Sequence, residues 1–415
     1  MTARGPVLRT PATERTSDLV EPGRARLPLV VYVLALGTFL MATTEFVVAG
    51  LLPEIVGDVQ VSVAQAGLMV TVFAVGMIVG APLTAMLTLR LPRRLTLLGA
   101  LGVFAVGHLI VALSSSFTVL LAARFLTAVA TGAFWAVANV VAAQAAGPAA
   151  SSRALGVVGA GAMLANVVGV PLGAFAGQLV GWRGPFWALA VLGVAAMAVI
   201  ARQVPQEAGA DTGQPVSVRS ELAAVRSGRL WLTLAACATT TGGVLATYTY
   251  ISPLLTDRTH LSSALVPLVL VGFGAGALVG FLIGGRLGDR RPYTTMIAAP
   301  AVTTVLLLAI TLLAGHAAPT IALVALLGLF GLGANPVLIA LAVRFAGRAP
   351  SLGSALTVSA FNLGTALGSW GAGLTLTSPL GATGPATMGM VVAALTLLPA
   401  ITIALTQSRP APSRL

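Results

Sequence analysis

The stretch TFLMATTEFVVAGLLP, residues 38–53, sets a single carboxylate, Glu45, in the middle of a long apolar run. A charge at that depth in a bilayer costs between ~2.5 and more than 10 kcal/mol, so it persists only with a partner, a proton or a water-filled cavity. The opposite charge lies in a second apolar run, LLAARFLTAVATGAFWAVAN. There Arg124, Ala128, Thr131, Trp135 and Asn139 recur at three- and four-residue steps and share one helical face. Counting inward from run ends near 52 and 118 at ~1.5 Å per residue puts Glu45 and Arg124 about 10 Å deep from the same side. Two readings stand. One is a structural ion pair; the preferred one is a proton-linked pair in a transport cavity, because intramembrane carboxylates commonly serve as relays.

The elements that must position this pair follow from composition. The chain has 415 residues, of which 57% are hydrophobic and 8% charged, and a mean hydropathy of +0.98. A soluble domain carries about 25% charged residues, so this is an integral membrane protein. Apolar runs of this length make it helical rather than a barrel. Windows of spanning length fall near 29–52, 66–88, 95–114, 118–145, 154–180 and 184–202, and again near 230–255, 264–286, 293–314, 319–343, 352–376 and 385–406. The expected fold is therefore all-α, with twelve transmembrane helices in two pseudo-symmetric six-helix bundles. Residues 28–202 form the first bundle and 230–406 the second, joined by the polar linker 203–229. Residues 1–27 read as a disordered cytoplasmic tail and 407–415 as a second tail. The first apolar run, about 24 residues long, exceeds a signal-peptide core and is read as a retained span.

All 23 basic residues are arginine. With a cytoplasmic N-terminus, 20 of them fall on the inner side, only Arg183 and Arg258 fall outside, and Arg124 lies within a span. That bias puts both termini in the cytoplasm. It also accounts for the net charge of +12 without nucleic acid. The absence of lysine excludes a Walker A loop. Cys237 has no partner within the chain, and His108, His260 and His316 make no metal spacing. No metal, cofactor or nucleophile–base constellation emerges, so an enzyme is not expected.

Internal repetition supports the six-plus-six plan. Arg93–Arg94 match Arg290–Arg291 at an offset of 197, and Asn166 matches Asn362 at 196. The fifth span is dense in small residues, with Gly161, Gly169, Gly173 and Gly177 beside Asn166 and Pro171. Such a face lets helix backbones approach closely, and Pro171 should kink it by removing a backbone hydrogen bond. The basic loops holding Arg90, Arg93 and Arg94, and Gly285, Arg290 and Arg291, are gating candidates, with topological anchoring as the plainer reading. Asp289 differs, because an acid between arginines at a helix end can act as a salt-bridge latch, although exposed pairs are individually weak. Thr239–Thr241, Tyr248, Tyr250, Asn335 and Asn362 are further polar points inside spans; each alone is more often an interhelical hydrogen bond than a ligand contact.

TTEFVVAGLLPEI (43–55), LTLRLPRR (87–94), AARFLTAVATGAFWA (122–136), GVPLGAFAG (169–177), GWRGPFWAL (181–189), YISPLL (250–255) and GGRLGDRRP (284–292) together resemble the major facilitator superfamily over roughly residues 28–406. They resemble in particular its twelve-span drug:proton antiporters, in the branch of chloramphenicol- and sugar-efflux proteins. The resemblance implies that the glycine–proline segment of span 5 is the antiporter motif, that Arg124 is the span-4 motif arginine, and that spans 1, 4, 7 and 10 line the cavity. The family's loop after span 2 carries an acid where this chain has Leu89. The expected gating role therefore moves to the second copy, Gly285, Asp289 and Arg290.

The resulting expectation is a monomeric, proton-coupled efflux transporter of a bacterial cytoplasmic membrane. It would export small drugs, chloramphenicol-type antibiotics first, by alternating access. Glu45 and Arg124 would couple protons, and Phe39, Thr43, Thr131, Trp135, Asn139, Thr241, Tyr248, Tyr250, Asn335 and Asn362 would line the substrate cavity. The alternative is export of sugars or other endogenous metabolites, which the Thr and Asn points would suit.

Overall fold

The computed structural model describes residues 27–88, 92–147, 150–204, 227–347 and 350–407. Leu89, Arg90, most of the linker and nearly all of both tails lie outside the described residues. In the first half the helices are α1 (Leu29–Val59), α2 (Val63–Thr88), α3 (Arg93–Leu113), α4 (Phe117–Ala146), α5 (Ser151–Leu164), α6 (Val170–Val180) and α7 (Arg183–Gln203). In the second they are α8 (Gly228–Thr249), α9 (Val266–Arg290), α10 (Pro292–Leu313), α11 (Ala317–Gly331), α12 (Asn335–Phe345), α13 (Pro350–Thr375), α14 (Gly384–Leu395) and α15 (Leu397–Gln407). The pairs α5–α6, α11–α12 and α14–α15 each run on as one interrupted rod.

Among the described residues, eleven of these rods are long and apolar enough to cross a membrane. The remaining rod, α13, is rich in Gly, Ser, Thr and Asn. It packs between α2 and α8, so Thr357, Asn362, Thr365 and Ser369 are buried in protein, while Leu363, Leu367, Trp370 and Leu374 form its exposed stripe. A rod lined by protein on one side can carry polar residues that a lipid-facing helix cannot.

Three expected boundaries shift for local reasons. Helix α1 does not end near 52; it runs through Pro53 to Val59 and stops at Gln60, which adopts the left-handed conformation (φ 57°). The seventh window breaks at Tyr250, after which a short turn (Ile251–Pro253) and a π turn (Leu254–Arg258) complete it. No loop follows the eighth span: α9 continues through Asp289 and Arg290, and only Arg291 separates it from Pro292 of α10. The kink expected at Pro171 takes the form of a π turn at Ala165–Gly169 just before it. Proline has no N–H for the carbonyl of Val167, and widening the preceding turn absorbs that loss.

The two ends of the molecule differ in charge. At the arginine-rich end, Arg93 reaches the side chain of Gln144, Arg94 donates to the carbonyl of Ala201 (2.5 Å), and Arg229 donates to the carbonyl of Thr406 (3.1 Å). Each contact ties helices of one half together. At the arginine-poor end, Asp58 accepts from Arg183 and from Trp182 Nε1 (3.1 Å). Arg183 also lies over the Trp182 ring and donates to Ser114 O (3.2 Å), which ties α1, α3 and α7.

The hydrogen bonds that join the halves gather toward the arginine-poor end. Thr71 Oγ1 meets Ser369 Oγ (2.8 Å), and Tyr250 donates to Ser369 O (3.1 Å). Ser252 donates to Ala49 O (2.8 Å), and Gln178 donates to Ser263 O (2.6 Å). Counted along α2 and α13, the Thr71–Ser369 contact lies about 10 Å in from that end at ~1.5 Å per residue.

Candidate functional site

Helix α1 is the axis of the site. Its residues from Leu40 to Thr44 and from Val47 to Leu52 are buried, because it packs on α4, α5, α6 and α7 of its own half and also meets the second half. The close approach of the fifth rod is permitted by a glycine row stepped by eight residues and then by four. A Cβ at Gly161 would overlap the backbone of Ala35. At Gly169, Gly173 and Gly177 it would overlap the side chains of Thr43, Val47 and Leu51 in turn. The row presses the rod along the length of α1 that carries Glu45.

Arg124 is almost fully buried (1% exposed). Its NH1 donates to the carbonyl (2.8 Å) and the hydroxyl (2.9 Å) of Thr44, its NH2 to the carbonyl of Glu45 (3.4 Å), and its Nε to the carbonyl of Met69 (3.4 Å). The guanidinium also lies 4.3 Å over the Phe73 ring. A buried guanidinium needs its donors filled, and here backbone oxygens of α1 and α2 fill them. The fork shape of arginine suits this, since one side chain bridges three helices.

Glu45 therefore stands at the level of Arg124, as the depth count expects, but not as its direct ion-pair partner. Among the described residues no carboxylate oxygen lies within ion-pair distance of Arg124, and no donor hydrogen-bonds the Glu45 carboxylate. The Glu45 side chain keeps a partly exposed surface beside a buried positive charge. Such a group can exchange a proton without breaking a protein hydrogen bond.

Next to Glu45, Phe46 makes an edge contact with Tyr248 (6.1 Å between centroids), and Tyr248 tilts onto Phe273 (4.4 Å). This aromatic row links α1, α8 and α9 across the two halves.

The family model for the Major Facilitator Superfamily matches residues 34–369. The chain belongs to the major facilitator superfamily. It is 36% identical over 374 residues to a chloramphenicol resistance protein of Streptomyces lividans, covering 90% of this chain and 95% of that protein. It is 35% identical over 365 residues to the inner membrane transport protein YdhP of Escherichia coli K12, covering 88% and 93%. The crystal structure of a bacterial homologue of the human lysosomal transporter Spinster, inward-facing and occupied, matches with a TM-score of 0.74 at 16% identity, covering 92% of this chain and 98% of that one. That last likeness is one of fold. The chain is thus a multi-pass membrane transporter and not an enzyme.

Within this major facilitator chain, the expected cavity residues separate into groups. Phe39 and Trp135 are half-buried; Trp135 packs against the cluster of Phe73, Met77 and Ala128. Asn139 is exposed further along α4 and donates to Trp135 O (3.2 Å). Thr43 and Thr131 are enclosed. Thr43 donates to Phe39 O (2.7 Å) under Gly169, and Thr131 donates to Thr127 O (2.8 Å) beside Met41 Sδ (3.3 Å). Thr131 shares the face of Arg124, as the spacing predicts, but that face meets α1 at this level rather than open space. Tyr250 is not beside Tyr248 in the site. It is buried in the arginine-poor seam, under Gly67 and Gly373, and serves packing there.

In the second half, Thr241 Oγ1, Asn335 Oδ1 and Asn362 Oδ1 are buried with no partner among the described residues, as is Thr240 Oγ1. Arg90 lies outside the described residues, and Asp289 forms no latch among them. Asp289, Arg290 and Arg291 are exposed, and Asp289 takes part in no ion pair among the described residues. Arg93 and Arg94 are anchors of the helix ends described above. Gly285 faces Pro336 at ordinary contact distance, and Asn166 sits in the π turn, its backbone against Gly274 of α9.

The sequence reading missed Thr44, Met69, Phe73 and His108. His108 Nε2 lies 2.7 Å from Thr44 Oγ1 and its Nδ1 lies 2.6 Å from Phe104 O. A usable signal was present. His108 stands five residues from the end of α3, so the same depth count would have placed it at the level of Arg124.

Proposed function

We propose that this transporter is a proton-driven exporter of small, largely uncharged or amphipathic compounds, with phenicol-type antibiotics as the first substrates to test. The observation that carries the reading is the half-buried Glu45 side chain, whose carboxylate has no hydrogen-bond donor among the described residues and which stands level with Arg124, itself held by four hydrogen bonds. A proton on Glu45 and a cargo molecule would compete for one state of the cavity, which is the requirement for exchange. The likeness to a chloramphenicol resistance protein supports the choice of cargo. So do the half-buried aromatics Phe39 and Trp135 and the row Phe46–Tyr248–Phe273.

In this reading the arginine-rich end faces the cytoplasm, with both termini, in a bacterial plasma membrane. The polar seam of Thr71, Ser369, Tyr250 and Ser252 then closes the outer side, and alternating access opens it while the halves close at the other end. The working unit is a single chain, with residues 28–202 and 230–406 as its two moving bodies. Export of a sugar or another polar metabolite is the second reading. It is favoured by the unpartnered buried oxygens of Thr241, Asn335 and Asn362, which would suit a hydroxylated cargo.

The test is accumulation of labelled chloramphenicol in inverted vesicles under an imposed pH gradient, alongside a susceptibility panel in a pump-deficient bacterial host. Wild type should concentrate the drug and the Glu45→Gln form should not. Equal, undiminished accumulation by Glu45→Gln would remove Glu45 from coupling. Protection against no antibiotic would move the assignment to the metabolite reading.

A further inference from the structure

We propose that His108 is a positioning residue for Arg124 and acts through the hydroxyl of Thr44. For a neutral imidazole the bonds have only one consistent direction. Phe104 O can only accept, so Nδ1 of His108 carries the hydrogen in their 2.6 Å contact. Arg124 NH1 can only donate, so Thr44 Oγ1 accepts from it at 2.9 Å. The hydroxyl hydrogen of Thr44 then goes to Nε2 of His108, 2.7 Å away. The result is one chain from Arg124 through Thr44 and His108 to the carbonyl of Phe104, running from α4 through α1 to α3, with the imidazole as the neutral Nδ1–H tautomer.

Thr44 also departs from the local habit. Thr38, Thr43, Thr131, Thr303, Thr304 and Thr311 each donate to the carbonyl four residues earlier, the usual use of threonine in a buried helix. Thr44 has His108 and Arg124 as its partners instead. His108 is itself fixed, being buried and tilted onto Phe104 (4.0 Å) and stacked with Phe186 (5.9 Å). A rigid acceptor thus orients the Thr44 hydroxyl, and the hydroxyl presents its lone pair to the guanidinium. Without that acceptor the hydroxyl hydrogen would turn to the carbonyl of Leu40, as those of its neighbours do, and the lone pairs would no longer be aimed at Arg124 by a fixed partner. Chained hydrogen bonds of this kind polarise one another, so the effect reaches past the pair in contact.

Two measurements decide the matter. The first does not depend on what is transported. Full-length protein labelled with nitrogen-15 at histidine is studied by magnetic resonance in lipid bilayers, and the His108 signals are assigned by their loss in His108→Phe. One protonated and one bare nitrogen are expected, with the bare-nitrogen signal moving in Thr44→Val. A His108 that carries hydrogen on Nε2, or that is indifferent to Thr44→Val, overturns the proposal. The second rests on the proposed drug/proton exchange. His108→Phe and Thr44→Val should each slow it about tenfold or more, their combination should be no slower than the worse of the two, and His108→Gln, which restores an acceptor, should recover most of the rate. Additive losses with no recovery in His108→Gln would reduce His108 to a packing residue. If wild type moves no compound tested, the proposed function fails while the magnetic-resonance result still decides this one.

Discussion

The two halves of the chain share a scaffold but not a chemistry. The offsets of 196 and 197 that align Asn166 with Asn362 and Arg93 with Arg290 carry Glu45 to Thr241 or Gly242, His108 to Thr304 or Val305, and Arg124 to Thr320 or Ile321. In the first half those levels hold a carboxylate, an imidazole and a guanidinium around one helix; in the second they hold hydroxyls and apolar groups. The described charged residues of the second half, from Asp257 and Arg258 to Arg344, lie near helix ends instead. The difference has a physical basis. A charge at mid-membrane is expensive, and one networked site is cheaper to hold than two. The second half is left free to offer uncharged polar groups, such as the unpartnered Thr241 and Asn362 oxygens.

The sharpest way to break this comparison is to remove the first half's cation. Arg124→Leu should abolish transport and lower the unfolding free energy by about 3 kcal/mol, near the top of the ordinary range for one substitution. Ile321→Ala, at a corresponding and partly exposed position, should stay within about 0.5 kcal/mol. Thermal unfolding in detergent reads both. If the two variants are alike, the halves are not divided in this way.

Glu45→Gln should be nearly as damaging to uphill export and nearly harmless to folding, because no protein donor loses its partner. Its unfolding midpoint should match wild type while accumulation in vesicles disappears. A strongly destabilised Glu45→Gln would mean that the carboxylate is structural.

Within the fifth rod, Gly161→Ala should cost about 1–3 kcal/mol by overpacking against α1. Gly159→Ala, where a Cβ meets nothing within 4 Å, should cost nothing measurable. In the second half, Thr241→Val should raise the KM for cargo roughly threefold to tenfold with little change in kcat, the loss of about one hydrogen bond made equally in ground and transition states. The smallest effect is expected at the helix end. Asp289→Asn, which breaks no ion pair in this conformation, should change stability by less than about 0.5 kcal/mol.

How legible each part was depended on whether its signal was local. Glu45 could be found because a lone acid in an apolar run is conspicuous at any reading; its level relative to Arg124 rested on a run end near 52, although α1 continues to Val59, and the contact of Arg124 with the Glu45 carbonyl is what fixes it. The glycine row at 161, 169, 173 and 177 announced a packing face by spacing. Its partner, the Ala35–Leu51 face of α1, had no sequence mark, since Ala, Val and Leu are as common in contact with lipid as with protein. His108 stands outside any metal spacing, and its partner lies 64 residues away, so nothing local marks its role. Tyr250 and Tyr248, two residues apart, were expected to line one cavity. The break at Tyr250 sends one to the interhelical seam and leaves the other beside Phe46.

The linear sequence suffices for a helical membrane protein, the rough course of its spans, its arginine-rich end, and an acid and a guanidinium inside apolar runs. These are one-dimensional quantities, set by hydropathy, charge placement and a fixed rise per residue. The tertiary structure alone decided who touches whom around that acid and that guanidinium. Arg124 gives its hydrogen bonds to the backbone of α1 and α2 and to Thr44, His108 meets Thr44, and the Glu45 carboxylate stands beside them with no hydrogen-bond donor among the described residues. Those assignments depend on how far each helix is rotated and how closely it approaches its neighbours, which the packing of small residues between helices sets.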